Sequence, residues 1–147
     1  MCPAGSGDKT VSLWDARSGL CVQTFYGHAN AVNHVAVTLS GDTAASCDAD
    51  GIIKLWDVRM VAERATLGPS NQQQQQQQPL NRLAFDRSGA RLAAASGDAT
   101  VKVFDVAAGV LVAELRGHED AVQSVVFSPA DDLLVSAASD CTFRIWS

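Results

Sequence analysis

The chain has 147 residues, a formal net charge of −5 and a pI near 4.9, so it lacks the basic surface on which nonspecific binding to DNA or RNA depends. No stretch approaches the roughly 18 apolar residues of a membrane-spanning helix, and the four cysteines form no C-x-x-C pair that would favour a zinc site. We therefore expect a soluble protein of the cytoplasm with reduced thiols, and no binding to nucleic acid or membranes.

A repeat of about 42 residues runs along the chain. Trp14-Asp15 precedes Trp56-Asp57 by 42 residues, and Phe104-Asp105 precedes Trp146 by 42. The middle interval is 48 residues, and the run Gln72 to Gln78 accounts for the excess. Each aromatic residue is preceded, six positions earlier, by an aspartate: Asp8, Asp50, Asp98 and Asp140. A period of about 40–45 residues with Gly-His and Trp-Asp marks is typical of a WD-repeat β-propeller blade.

Short apolar segments between Gly, Asp, Ser and Pro predict antiparallel strands throughout, and no stretch has a sustained helical period. The predicted fold is all-β, a single partial propeller over 1–147. Its segments are the end of a blade (1–26), a full blade (27–67), a degenerate blade with a Gln-rich insertion at 72–78 (68–115) and a last blade without its fourth strand (116–147). This division predicts 13 strands, an open arc of less than half a seven-bladed ring, with a truncated N-terminus and a natural C-terminus.

Two copies keep four residue types at matching spacing. Gly27-His28 and Gly117-His118 are each followed by a Ser 18 residues after the His, an Asp 22 after it and a Trp 28 after it. In the WD-repeat family, which the whole chain resembles, these residues form one hydrogen-bonded set in which the Asp accepts from the His and the Ser accepts from the indole N–H. The predicted sets are His28, Ser46, Asp50 and Trp56 in one blade, and His118, Ser136, Asp140 and Trp146 in the other.

A hydrolase triad is the rival interpretation of a Ser, a His and an Asp that lie together. The set occurs twice, and no G-x-S-x-G pattern is present. We therefore expect these residues to be structural, and we expect no enzymatic activity, cofactor, metal or small-molecule substrate.

The third copy has lost most of its marks. Phe104 and Ala94 stand where the Trp and the Ser belong, and the His position falls at Gln76 in the glutamine run. Only the turn aspartate, Asp98, remains, as Asp8 does in the first copy. Because Phe cannot donate a hydrogen bond, we expect packing alone to hold this blade. His34 lies within a strand pattern and is interpreted as a packed or edge histidine.

The chain from Gly7 closely resembles the C-terminal propeller of the sperm-associated antigen sixteen family. The resemblance is carried by GDKTVSLWDARSGLCVQTFYGH, DADGIIKLWDVRMVAE, AFDRSG, GHEDAVQSVVF and the closing FRIWS, and its most specific part is Asp50 to Glu63. It implies a scaffold in the central apparatus of motile cilia and flagella, a cytoskeletal location, and axonemal central-pair proteins as partners. The exposed loops expected to make contacts are Arg17 to Leu20, Arg59 to Glu63 and the segment around Gln72 to Gln78.

A W-D-x-R tetrapeptide occurs twice, ending at Arg17 and at Arg59. In some WD-repeat proteins this motif, with upstream small and acidic residues such as Ser46 and Asp48, marks a substrate receptor of a cullin–RING ubiquitin ligase. The two arginines would then carry the contact. A signalling scaffold similar to a G-protein β-subunit is a third possibility.

Overall fold

The computed structural model describes residues 2–68, 78–130 and 133–147. The described residues form fourteen strands in four antiparallel sheets, which confirms the prediction of an all-β partial propeller. None of them lies in a helix long and apolar enough to cross a membrane.

Each sheet is a meander in which consecutive strands pair. The first sheet contains β1 (Cys2–Gly5), β2 (Thr10–Asp15) and β3 (Leu20–Tyr26). The second contains β4 (Val32–Val37), β5 (Thr43–Asp48), β6 (Ile53–Asp57) and β7 (Ala62–Leu67). The third contains β8 (Leu80–Phe85), β9 (Arg91–Ser96), β10 (Thr100–Asp105) and β11 (Val110–Arg116). The fourth contains β12 (Val122–Phe127), β13 (Leu134–Ala138) and β14 (Phe143–Trp146).

The prediction of 13 strands was wrong by one, because the chain enters the first blade a strand earlier than expected. β1 pairs with β2 from Cys2 opposite Trp14 to Gly5 opposite Val11. Its sequence, CPAG, has low strand propensity, and Pro3 is tolerated because β1 is an edge strand of its sheet. Gly5 is required by close packing, since a Cβ there would lie 2.6 Å from Cγ1 of Val32 in the next blade.

The hydrophobic core lies between the blades. Between the first and second sheets, Val11, Leu13 and Phe25 pack against Val32 and Trp56. The same kind of layer follows between the second and third sheets and between the third and fourth. A strand between two such layers must be buried on both faces, and all six residues of β5 are buried. This arrangement explains why β5 and β9 are buried on both faces and do not alternate as in a sheet with one wet face.

Candidate functional site

A buried chain of hydrogen bonds joins β5 and β6, the two central strands of the second blade, to the loop that enters the blade. The indole Nε1–H of Trp56 donates to the Ser46 hydroxyl oxygen at 2.8 Å. Nε2 of His28 lies 2.5 Å from the same oxygen, and Nδ1 of His28 lies 2.8 Å from a carboxylate oxygen of Asp48. Because the carboxylate can only accept, Nδ1–H of His28 donates to Asp48, and the lone pair of Nε2 accepts the Ser46 hydroxyl proton.

The residue before the histidine is constrained as well. Gly27 has φ +154°, and a Cβ there would lie 3.2 Å from the Trp56 ring. Gly117 has φ +155°, and its Cβ position lies 3.3 Å from the Trp146 ring. An L side chain rarely adopts such a backbone, so the glycine of each Gly-His pair brings the imidazole against the indole.

The carboxylate predicted for this set was wrong: His28 bonds to Asp48, and Asp50 lies outside the set. A carboxylate oxygen of Asp50 accepts from the Asn30 amide at 3.0 Å. Asp48 also organises the turn, because its second oxygen accepts the backbone N–H groups of Asp50 and Ile52, each at 3.0 Å.

The physical reason lies in the turn sequence. In the other three copies the turn aspartate is followed two residues later by a threonine, whose N–H and hydroxyl both donate to that aspartate; the pairs are Asp8–Thr10, Asp98–Thr100 and Asp140–Thr142. In the second copy the threonine is replaced by Ile52, which has no hydroxyl. Asp48 is the only acidic residue at its place in the four repeats, where the others have Ser6, Ser96 and Ala138. The D-x-T pattern was therefore a signal that could have identified the exception.

In the last blade the structure brings together the four side chains that the spacing selected. Nε1–H of Trp146 donates to Ser136 Oγ at 2.9 Å, and Nε2 of His118 lies 2.7 Å from that oxygen. Nδ1 of His118 lies 3.4 Å from Asp140 Oδ2 and 3.2 Å from the Thr142 hydroxyl. The imidazole–carboxylate contact is therefore longer here than in the second blade.

Asp140 has hydrogen-bond donors on several sides. The Thr142 hydroxyl and the backbone N–H of Glu119 both donate to it and hold the pKa of this carboxyl far below its usual range, against the smaller opposing effect of burial. An ionised carboxylate is the form that can accept all of these donors.

The third blade replaces the buried set by packing, with Ala94 fully buried and Phe104 6 % exposed. Its turn nevertheless remains polar, so the prediction of packing alone was incomplete. Asp98 accepts from Thr100 and from Nζ of Lys102 at 3.1 Å. Burial acts to raise the pKa of Asp98, but these hydrogen bonds outweigh it and the pKa is lowered. Gln76, the position equivalent to the histidine, lies outside the described residues.

The first blade keeps the turn but not the buried set. Hydrogen bonds from the hydroxyl and N–H of Thr10 lower the pKa of Asp8, and Trp14 is 41 % exposed.

The hydroxyls that resemble nucleophiles are inaccessible. Ser46 is 0 % exposed and Ser136 1 % exposed, and each oxygen already contacts an imidazole and an indole. A hydrolytic serine must reach its substrate, so this geometry favours a structural role. Among the described residues no buried side-chain N or O lacks a hydrogen-bond partner, and no cluster of His, Cys, Asp or Glu could hold a metal ion.

Sequence reasoning missed a repeated amide contact between blades. Nδ2 of Asn33 donates to the Leu80 carbonyl of the next blade at 2.9 Å, and Nδ2 of Asn81 donates to the Val122 carbonyl at 2.8 Å. The third member of the series is Gln123, which donates to Ser139 within its own blade. An amide at the second residue of β4, β8 and β12 is visible once the repeats are aligned.

His34 also links two blades. Its Nδ1 accepts the backbone N–H of Leu83 at 3.2 Å, beside a register shift in β8. Burial, together with the nearby Arg82 guanidinium, lowers the pKa of His34, because both disfavour the charged imidazolium. Its strand neighbour Cys47 is fully buried, and burial raises the pKa of that thiol to about 12.

The two arginines of the W-D-x-R motifs are exposed, Arg17 in the turn between β2 and β3 and Arg59 in the turn between β6 and β7. Their backbone N–H groups donate to Asp15 and Asp57, respectively. Within the described part of the chain neither guanidinium has an ion-pair partner. Ser46 and Asp48, the upstream residues of the ligase interpretation, are instead buried in the hydrogen-bonded set.

We predict that Asp48→Ala lowers the free energy of unfolding by about 1–3 kcal/mol, because it leaves buried donors of His28 and of the turn without an acceptor. The matched control is Asp50→Ala, which removes only the contact with Asn30 and should cost much less. Urea denaturation of both variants measures the difference. A larger loss for Asp50→Ala would contradict the assignment of Asp48 to the set.

The second prediction concerns pH. The pKa of His34 is lower in the folded chain than the ordinary value of 6.5. As pH falls below 6.5, the unfolded chain takes up a proton at this histidine before the folded chain does. The contribution of neutral His34 to the free energy of unfolding is therefore complete above pH 6.5 and is lost below it. His34→Gln should therefore lose less stability than the wild type between pH 7.5 and pH 5. Identical pH profiles in denaturant titrations would show that His34 does not carry this dependence.

Comparison with known proteins identifies the repeat. The family described as "WD domain, G-beta repeat" matches residues 19–57, 69–105 and 109–147, which is most of the chain.

Three relatives illustrate the range of similarity. Nuclear distribution protein PAC1 of Arthroderma otae is 35 % identical over 148 residues, covering 97 % of this chain and 32 % of the relative. Periodic tryptophan protein 2 of Arabidopsis thaliana is 30 % identical over 147 residues, covering 99 % of this chain and 16 % of the relative. Transcriptional corepressor LEUNIG_HOMOLOG of Arabidopsis thaliana is 34 % identical over 145 residues, covering 97 % of this chain and 17 % of the relative. The chain thus spans about a third or less of these relatives.

Proposed function

The chain belongs to the WD-repeat family, and from that premise we propose that it is a non-catalytic scaffold for protein–protein interaction. One observation carries the proposal: the serine and histidine side chains that resemble a catalytic triad are buried and bonded to one another, whereas turns that join the strands are exposed. Ser46 and Ser136 are at most 1 % exposed, and Leu39 and Met60, in two turns of the second blade, are 82 % and 77 % exposed. Such a molecule can present loops on a rigid frame, which is how repeat proteins bind.

The finer part of the proposal is a place in the central apparatus of motile cilia and flagella, with axonemal central-pair proteins as partners. Its support is the resemblance over Asp50 to Glu63, where WDVRMVAE departs from the common repeat. The relatives described above carry names from other settings, so the ciliary part rests on the resemblance. Fold alone does not decide between these settings.

The ligase interpretation is less well supported by the geometry. The upstream acidic and small residues of that motif, Asp48 and Ser46, are buried and hydrogen-bonded inside the blade. Only Arg17 and Arg59 therefore remain for a surface contact.

Affinity purification of the tagged full chain from ciliated cells, and from the same cells after deflagellation, tests the proposal. We expect axonemal central-pair proteins to co-purify before deflagellation and to be depleted after it. Arg59→Ala and Arg17→Ala serve as a matched pair for the alternative. Recovery of ligase adaptor subunits that is lost in Arg59→Ala would contradict the axonemal assignment, and recovery of no specific partner would contradict the scaffold.

A further inference from the structure

We propose that two turns at one edge of the second blade form a docking surface for a protein segment that carries apolar side chains and a carboxylate. The surface, named here the rim patch, consists of Leu39, Arg59, Met60 and Val61. This inference rests on the proposed scaffold function and assigns it a location and a partner chemistry.

The rim patch contains a residue that its backbone disfavours. Val61 has φ +53°, whereas the equivalent turn positions in the first and third blades are Gly19 at +70° and Gly109 at +69°. A β-branched residue in the left-handed region is a genuine outlier, and the repeat itself shows that glycine suits this turn. A costly side chain retained at an exposed turn points to a use outside the fold.

The neighbouring side chains are apolar and open to water. Leu39 is 82 % exposed, Met60 77 % and Val61 44 %. The equivalent of Met60 is Ser18 in the first blade and Ala108 in the third, and the equivalent of Leu39 is Arg87 in the third. Of the two four-stranded blades, only the second therefore places large apolar side chains at both turns, in the manner of interaction surfaces.

The two turns are held together. The backbone N–H of Val58 donates to the Asp42 carbonyl at 2.9 Å, and Nη1 of Arg64 lies 3.4 Å from the Thr43 hydroxyl. Asp57 accepts the N–H groups of Arg59 and Met60 at 3.0 and 2.9 Å. A surface ordered in advance loses little entropy when a partner binds, which favours affinity.

Charge defines the partner further. Arg59 is exposed and has no ion-pair partner within the described residues. The nearest acidic groups of the two turns have other donors, since Asp57 accepts backbone N–H groups and Asp42 accepts the hydroxyls of Ser40 and Thr38. A carboxylate supplied by the partner would pair with the planar guanidinium, and the apolar side chains would cover the valine and the methionine.

The test uses the full chain and three sets of short fluorescein-labelled peptides. The peptides of the first set, the acidic apolar set, are composed of Leu, Phe, Glu and Ser. The second set has Lys in place of Glu, and the third has Ser in place of Leu and Phe. Fluorescence polarisation should show binding of the acidic apolar set only. Val61→Gly and Met60→Ser should each weaken it by about tenfold. Arg59→Glu should move the preference to the lysine set.

Two controls separate the rim patch from general stickiness and from misfolding. Val112→Ser, 62 % exposed in the wild type but on β11, and Arg17→Glu, in the equivalent turn without methionine or valine, should leave binding unchanged. Val61→Gly should leave the melting temperature unchanged or raise it by up to about 4 °C, because it relieves the strained turn. Weakened binding without loss of stability is an outcome that a purely structural role does not give.

The proposal is overturned if the acidic apolar set does not bind, if the control variants weaken it equally, or if the rim-patch variants instead abolish self-association, which would assign the surface to a second copy. The same variants in affinity purification distinguish the two proposals. If wild type, Val61→Gly and Met60→Ser recover the same partners equally, the rim patch is not the docking surface. The scaffold function would still be supported by that result.

Discussion

A buried indole N–H has to find an acceptor, and this constraint organises the second and fourth blades. The nitrogen can donate but not accept, so once Trp56 and Trp146 are packed between strands, a hydroxyl must lie within reach. That hydroxyl in turn directs its proton to an imidazole, and the imidazole directs its own to a carboxylate or a hydroxyl in the turn. Each group is satisfied only if the others are in place, so two strands, an entry loop and a turn are positioned together.

The third blade shows that the constraint is avoidable. With Phe104 there is no donor to satisfy, and the facing residue is Ala94, which offers no acceptor. Replacing both partners of a buried hydrogen bond by apolar groups can be nearly neutral, whereas replacing one is costly. The paired loss of the indole and the hydroxyl in this blade follows that rule, and the blade keeps its four strands.

The same requirement for hydrogen-bond partners acts within the blades and between them. Hydrogen bonds hold side chains within a blade, as for Ser46, and also join neighbouring blades, as for Asn33 and His34. The turns also differ from blade to blade. Gly19, Val61 and Gly109 occupy one place in the repeat with similar backbones and different side chains. A frame that the blades share, with turns that differ, can present different side chains without changing the fold.

Much of the fold could be predicted from the sequence because spacing reports the repeat directly: Trp56, Phe104 and Trp146 each lie in the third strand of a blade, as the period requires. β1 was missed because Pro3 and Gly5 hide a strand that pairing with β2 stabilises. Asp50 was predicted because it lies at the same position in the repeat as Asp140. The carboxylate that bonds to His28, however, depends on the conformation of the turn, which the spacing does not give. Contacts between blades, such as that of Asn81 with Val122, depend on neighbours in space and became visible only in the folded chain.

The interdependence of indole and hydroxyl is tested most directly by a double-mutant cycle of Ser46→Ala and Trp56→Phe, measured by urea denaturation. Ser46→Ala alone leaves a buried indole N–H without an acceptor, whereas the double variant reproduces the pairing found at Ala94 and Phe104. The combined loss of stability should be smaller than the sum of the single losses by about 0.5–3 kcal/mol. Additive losses would contradict the view that these side chains act as one unit.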